Sequence, residues 1–363
     1  MPQAQLTLDS RLAQVAGNWF LESGIQEETG GVARYFQSDT RRNARVSTEI
    51  TGYAISTLVF LYDRYRTEQY LEAAVRAGKF LTQTAWSPSL RTFPFEHAHN
   101  GDAPQPLTYF FDCGIIVRGL LALWRATGES EYLDVATATG ESMARDFVAG
   151  DTWHPILELP GKYPLQWTDQ WSRHPGCYQL KAALAWRDLH ETTGDSKFER
   201  HFGAALAKTL TTKDEFLPAA TPEKTMDRLH AYCYFLEALT HVTDRPQIRD
   251  ALAVGIQRVS RYLREIRGDF ERSDVNAQLL RVRLLAEQSA KLPLDESEAA
   301  EEAERLISFQ IDSNTKDRGG FWFGRKSGQW MPFINPVSTG FGLQALEWWQ
   351  DRQAGRTITQ ALI

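Results

Sequence analysis

Apolar residues recur three and four positions apart through most of the chain, and runs alternating at the strand period are scarce. The pattern predicts an all-α protein built from two kinds of helix. One kind is strongly apolar and belongs inside. The other is charged with a narrow aromatic or Leu stripe, as at Tyr132-Leu133 and Phe198, and belongs outside. The kinds alternate across similar junctions, Trp124-Arg125-Ala126-Thr127-Gly128-Glu129 and Leu189-His190-Glu191-Thr192-Thr193-Gly194-Asp195, with looser echoes at Tyr65-Arg66-Thr67-Glu68 and Val242-Thr243-Asp244. A Gly there can end one helix in the left-handed conformation, and the next acidic or Ser residue can cap its successor.

Inner helices are predicted to begin near Val46, Phe111, Pro175, Arg228, Ser273 and Pro336. Outer helices begin near Thr67, Ser130, Ser196, Pro246 and Asp295, and the stretch from about Leu8 to Leu21 supplies the sixth. About twelve helices in six hairpins close into an (α/α)6 toroid. No composition break divides the chain, so residues 1–363 read as a single domain. Inner-to-outer connections run about two to five residues. Most outer-to-inner ones run about 15 to 25, the segment between Ile266 and Ser273 excepted. In a ring the long loops share one face, at the N-terminal ends of the inner helices, and long irregular loops usually carry function.

Composition narrows the partners. A net charge of -6, a pI near 5.8 and the lack of a long basic run argue against nucleic acid and anionic membrane. A small molecule or soluble polymer remains. No basic-then-apolar segment follows Met1 and no run of about 18 apolar residues occurs, which predicts a cytoplasmic protein with no membrane segment. Cys113, Cys177 and Cys233 are too few and too scattered for a disulfide framework.

The loop face collects Trp86, Phe93, Phe95, Trp153, Trp167, Trp171, Phe321, Trp322, Trp330 and Phe333, flat side chains suited either to sugar rings or to pinning loops on the barrel. The run Trp167-Thr168-Asp169-Gln170-Trp171-Ser172-Arg173-His174 mixes aromatic, acid and base within eight residues. Glycosidic cleavage commonly uses two carboxyls, one protonated and one ionised. Candidates are Glu49, Asp112, Asp169, Asp227 and Asp274 near inner-helix entrances and Glu96 and Glu158 in loops; an acid at a helix start also serves as cap or dipole partner. Asp112 stands out because Phe110-Phe111 and Cys113-Gly114-Ile115-Ile116 flank it with apolar side chains that raise a carboxyl pKa. Asp169 is its expected partner, giving Asp112 and Asp169 as the catalytic pair.

A second chemistry fits the same face. His174, Tyr178, His230, Tyr232 and Tyr234 lie near the third and fourth inner entrances. A His or Tyr can take the proton α to a uronate carboxylate while Arg173, Arg318 or Arg325 binds the acid, as a lyase or epimerase requires. The cysteines with His174 and His230 could hold zinc, but no Cys-x-x-Cys pair exists and the three Cys fall at different helix depths, so small buried thiols are the better reading and no metal or cofactor is expected. Near the C-terminus, Asn335 is a helix cap with Pro336 at the first helical position, after an aromatic loop containing Trp322 and Trp330. Expected substrate contacts are thus Glu49, Glu96, Trp167, Trp171, Arg173, His174, Tyr178, His230, Tyr232, Asp274, Trp322, Trp330 and Asn335. A toroid face that only docks a glycan or a protein is the non-catalytic alternative.

The Thr-Gly-acid turns and the Phe111-Asp112-Cys113-Gly114 entrance resemble the six-hairpin glycosidase superfamily, and Asn335-Pro336-Val337-Ser338-Thr339-Gly340-Phe341-Gly342-Leu343-Gln344-Ala345-Leu346 resembles members associated with bacterial exopolysaccharide gene clusters. The resemblance implies the (α/α)6 fold and a carbohydrate-active enzyme, a glycoside hydrolase on an oligosaccharide or polysaccharide. Asp112 is similar to the acid at the second inner helix of unsaturated glucuronyl hydrolases, although Phe111 stands where that pattern has His. A carboxyl separation of about 5 to 5.5 Å implies retention and about 6.5 to 9.5 Å inversion.

Overall fold

The computed structural model describes residues 11–97, 106–168, 170–359 and 361–363. Among them are twelve α-helices. The inner helices are α2 (Thr48–Tyr65), α4 (Phe110–Thr127), α6 (Leu180–Thr193), α8 (Pro222–Leu239), α10 (Ser273–Leu285) and α12 (Pro336–Gln353). The outer ones are α1 (Arg11–Glu22), α3 (Glu68–Lys79), α5 (Ser130–Ser142), α7 (Ser196–Thr212), α9 (Pro246–Ile266) and α11 (Glu296–Phe309). Each inner helix packs on the next, α12 packs back on α2, and α1 lies against α12, so the ring closes as an all-α toroid. Every residue of α10 is buried, whereas α9 buries one stripe, Ile248, Leu252, Ile256, Val259 and Leu263 among it. This is the inner and outer division that the hydrophobic pattern predicts.

The junction glycines behave as their chemistry dictates: Gly128 and Gly194 end α4 and α6 at φ 76° and 73°, and the Asp195 carboxylate accepts from the Lys197 N–H to cap α7. Arg66, at φ 55°, makes the same left-handed stop without a glycine. One expected boundary moves. The fourth inner helix begins at Pro222, not near Arg228, because the Thr221 hydroxyl accepts from the Lys224 N–H and Pro222 takes the first helical position. The connection before it is therefore short, like that before α10, and the long loops wall only the other four sides. The first helix runs from Arg11, and Leu8 lies outside the described residues.

Strands of two or three residues lace these loops into a collar. Phe36–Gln37 pairs with Arg42–Asn43 and with Phe333–Ile334, Gly324–Lys326 bridges Phe270–Arg272 and Gln329–Trp330, and Leu107–Tyr109 pairs with Ile156–Glu158, all antiparallel. No helix among the described residues is long and apolar enough to cross a membrane.

Glycines set the spacing of the inner ring. A Cβ on Gly119 would meet the Gly52 carbonyl oxygen at 2.5 Å, and one on Gly114 would meet the Ala182 carbonyl oxygen at 2.5 Å. The neighbour is backbone in both cases, so no rotamer change relieves the clash. Replacing Gly119 by Val must force α2 and α4 apart. It should lower the unfolding free energy by about 3 kcal/mol, at the upper end for overpacked cores, measured by urea denaturation.

Candidate active site

A cavity of about 700 Å³ opens at the N-terminal ends of the inner helices, within the range of small-molecule sites. Its floor holds Glu49 from the first turn of α2, Asp112 from the first turn of α4, and His230 and Tyr234 from α8. Phe95, Phe111, Trp171 and Tyr178 contribute aromatic walls, and Arg34, Arg272 and Asp274 stand around the floor. The aromatic lining is interlocked: Trp171 meets Tyr178 edge-on at 5.1 Å between centroids, and Phe111 packs on Tyr234 at 4.8 Å.

Two effects oppose each other at the floor. A helix N-terminus favours a carboxylate by about 0.3–1 kcal/mol, whereas burial penalises the charge by more unless a cation or several donors compensate. Burial wins at both positions. It pushes Glu49 up to about 7 against the opposing pull of Arg34. It pushes Asp112 well above the ordinary carboxyl range, and the Glu49 charge raises it further. The Asp112 Oδ2 atom is buried and has no hydrogen-bond partner among the described residues, which leaves it open to a ligand.

At Asp274 the outcome reverses. Burial again works against ionisation, but Arg272, then His230, outweigh it and the carboxyl stays low. Arg272 holds Asp274 through Nε at 3.0 Å and Nη2 at 2.6 Å and reaches Asp227 at 2.8 Å. The His230 Nδ1 atom lies 2.8 Å from Gln278 Oε1 and 3.3 Å from Asp274 Oδ2. Both neighbours are acceptors, so Nδ1 carries the proton and Nε2 keeps its lone pair. Burial, partly offset by Asp274, lowers His230 to about 4, so the imidazole is neutral near pH 7.

Of the residues expected from sequence, Glu49, Asp112, Trp171, Tyr178, His230, Asp274 and Asn335 line this one cavity. Asn335 is engaged as the cap of α12, its Oδ1 accepting from Val337 and Ser338 N–H, as its position before Pro336 predicts. Asp169 lies outside the described residues. Others stand apart. Tyr232 faces the outer layer beside Arg258, because it sits two residues from both His230 and Tyr234 and therefore points away from their shared face. Glu96 is paired with Arg34 and Arg45 behind the wall, each at 3.3 Å. Trp167 is exposed and touches His174; Trp322 and Trp330 stack on each other, with Trp330 against Phe309. Arg173 is not part of the lining, although it lies near enough to Tyr109 to influence it. Arg325 is committed to the buried Glu271 at 2.6 Å, and Arg318 faces Asp312 at 3.9 Å.

Arg34, Gln179, Arg272 and Gln278 escaped the sequence reading. An Arg two positions before Asp274 was a usable sign of a local ion pair, and the spacing of His230 and Tyr234 a usable sign of a shared face. No motif marks Arg34, which the antiparallel bridge between Ala33 and Val46 folds back beside the start of α2. The three cysteines are buried free thiols, and no cluster of His, Cys, Asp and Glu suited to a metal occurs among the described residues.

No family model matches this sequence, and no curated protein does. The shape is shared with solved structures. A sugar epimerase from a ruminal bacterium superposes with a TM-score of 0.72 at 12% identity, covering 96% of this chain and 99% of its own. A cellobiose 2-epimerase from Spirochaeta thermophila gives 0.69 at 14% identity, with 94% and 99% covered. An inactive variant of an α-1,6-mannanase from a Salegentibacter species, in complex with α-1,6-mannotriose, gives 0.58 at 12% identity, with 93% and 99% covered. The chain shares the (α/α)6 toroid fold of these structures.

Proposed function

We propose that this chain is a carbohydrate-active enzyme, and that its reaction is glycosidic bond cleavage with Asp112 as the proton donor. The carboxyl pair at the cavity floor supports this reading: one acid stays protonated and the other ionises near neutrality, inside aromatic walls. Asp112 would protonate the departing glycosidic oxygen as the C–O bond breaks. Glu49, ionised above about pH 7, would take a proton from the water that attacks the anomeric carbon. Asp169, the partner expected from sequence, lies outside the described residues; among those described, Glu49 shares the floor with Asp112 and is the carboxyl proposed for that role. The six-hairpin ring accommodates such chemistry in the mannanase, which binds an oligosaccharide.

His230 favours a second reading. A neutral imidazole fixed through Nδ1 presents Nε2 as a base, and proton removal from a sugar carbon followed by return of a proton would give epimerisation or isomerisation. The two epimerases of the same shape suit that chemistry. Product analysis separates the readings. Cleavage of an oligosaccharide panel releases new reducing ends without carbon-bound deuterium; epimerisation in heavy water leaves the linkage intact and labels the sugar.

For cleavage, Asp112→Asn should lower kcat by about 10²–10⁴-fold on whichever oligosaccharide is turned over, and full turnover by a folded variant would end the assignment. Glu49→Gln should remove the rise in kcat with pH centred near 7.

The same substitution has a stability signature. Glu49 has a folded pKa near 7 against an ordinary value of 4.5, so the folded state holds its proton longer than the unfolded chain. The native state loses stability as pH rises from about 4.5 to about 7, and an uncharged amide escapes that loss. Glu49→Gln should therefore raise Tm at pH 8 and leave it nearly unchanged at pH 4, the opposite of what a stabilising ion-pair acid would do.

A further inference from the structure

The charges around the floor do not sum as a uronate site requires. Arg34 and Arg45 share Glu96, and Arg272 is held by Asp274 and Asp227. His230 is neutral near pH 7. Arg272 thus has two acid partners and Arg34 one that it shares with Arg45, while Glu49 and Asp112 are in no ion pair among the described residues. A uronate placed on them would add a third carboxyl to a pair already forced toward neutrality. Like charges at short range in a partly desolvated site repel by several-fold more than in water.

The hydrogen-bonding capacity points to a saccharide. The Gln179 Nε2 donates to Tyr178 Oη at 2.9 Å, which fixes the amide and leaves Oε1 as an acceptor, buried and without a partner among the described residues. Gln179 lines the cavity beside Tyr178. A sugar hydroxyl can donate to that oxygen. Such a hydroxyl is present on neutral and acidic sugars alike, so this acceptor suits a saccharide, and discrimination by charge falls to the carboxyls.

From this juxtaposition of two unpaired carboxyls with guanidiniums already engaged by other acids, we infer that the sugar unit seated on the floor is neutral, a plain hexose or its glycoside rather than a uronide. The inference rests on the saccharide reading above. It applies to the floor alone. Arg173 lies toward the rim near Tyr109, so a charged unit farther along an oligosaccharide has room there without touching the floor.

The preference has a pH dependence to which Glu49 contributes from within the cavity. The groups facing Glu49 are Arg34 from the loop before α2, Tyr53 from its own helix, Asp112 from α4 and Tyr234 from α8. Both phenols are pushed far up and stay neutral, Asp112 stays protonated well above its ordinary range, and α6 and α12 contribute only the uncharged Tyr178, Gln179 and Asn335. Glu49 gains charge as the pH rises through about 7, and Lys181, buried below the floor and lowered by that burial to about 7, loses its own over the same range.

The test is calorimetric titration of the whole chain with the methyl glycosides of glucose, mannose and galactose and their matched uronides. At about pH 8 the neutral glycoside should bind roughly tenfold tighter or better, and the gap should narrow at about pH 5.5 as Glu49 takes up its proton. Gln179→Leu should weaken whichever glycoside binds by roughly tenfold without changing the gap, and Arg173→Ala should leave the gap intact. Uronides binding as tightly as neutral glycosides at about pH 8 would overturn the inference while leaving the saccharide reading standing. A gap that ignores pH would overturn the contribution of Glu49. If no glycoside of either charge binds, the saccharide reading itself fails.

Discussion

The site depends on how closely α2 and α4 approach. Gly119 lies against the Gly52 carbonyl and Gly52 against the Ile116 backbone, and no residue with a Cβ permits that spacing. Glu49 stands one turn before Gly52, and Asp112 two turns before Gly119. The contact that joins the helices therefore brings their first turns together and sets the two carboxyls on one floor. Gly114 against Ala182 carries the same tight packing to α6 and seats Gln179 and Tyr178 beside them. Inner-ring packing and the chemistry of the floor are one constraint, since any side chain that widens the first loosens the second.

Around this floor the protein treats similar acids differently. Glu49, Asp112 and Asp274 each occupy the first turn of an inner helix. Asp274 receives a bidentate guanidinium and becomes an ordinary anion, whose function is to hold Arg272 and to orient His230 together with Gln278. Glu49 and Asp112 receive no such partner and are driven toward their neutral forms. Carboxyls pushed apart from a shared chemistry by their surroundings are the physical basis for assigning acid and base roles. The buried Gln278 fixes an imidazole proton, an indirect contribution that no cavity lining would reveal.

Much of the ring was legible because it is written in short-range terms. Gly128, Gly194 and Asp195 are local stops and caps, Asn335-Pro336 is a helix start by its own chemistry, and the contrast between α9 and α10 is a matter of periodicity. Where the reading slipped, a local signal was outweighed by a stronger one nearby: Thr221-Pro222 caps α8 six residues before the charged stretch at Asp227-Arg228 that was taken for its start. The individual site residues were less legible. Asp112 announces itself through its apolar flanks, but Glu49 differs from any helix-start acid only in what α4 and α8 place over it. Trp167, Trp322 and Trp330 have the composition of a sugar platform and lie outside the cavity, since aromatic content does not specify which side of a loop faces inward.

The opposite end of the barrel also carries a cavity, of about 1100 Å³, bounded by Arg118, Asp188 and Leu362, and what separates it from the floor is a cluster of buried charges. Along the ring axis Lys181, Glu237 and Arg281 are fully buried, with Lys181 Nζ 3.0 Å from Glu237 Oε2 and Arg281 paired to the same carboxylate. Such a cluster is costly to bury and becomes tolerable only when every charge is met. The chain near its C-terminus supplies what is missing: Lys181 Nζ donates to the Ile363 carbonyl oxygen at 2.8 Å, Gln344 Nε2 donates to that of Ala361, and Gln344 Oε1 accepts from the Ile363 N–H and from Arg281. Arg118, held by Asp188, donates to the Leu362 carbonyl. This segment caps the axis from below, and the polar groups it satisfies would otherwise stand beneath Tyr53 and Tyr234. A floor whose carboxyls are held neutral by desolvation requires that water be excluded from behind as well as above, and the segment seated on Lys181 closes that route.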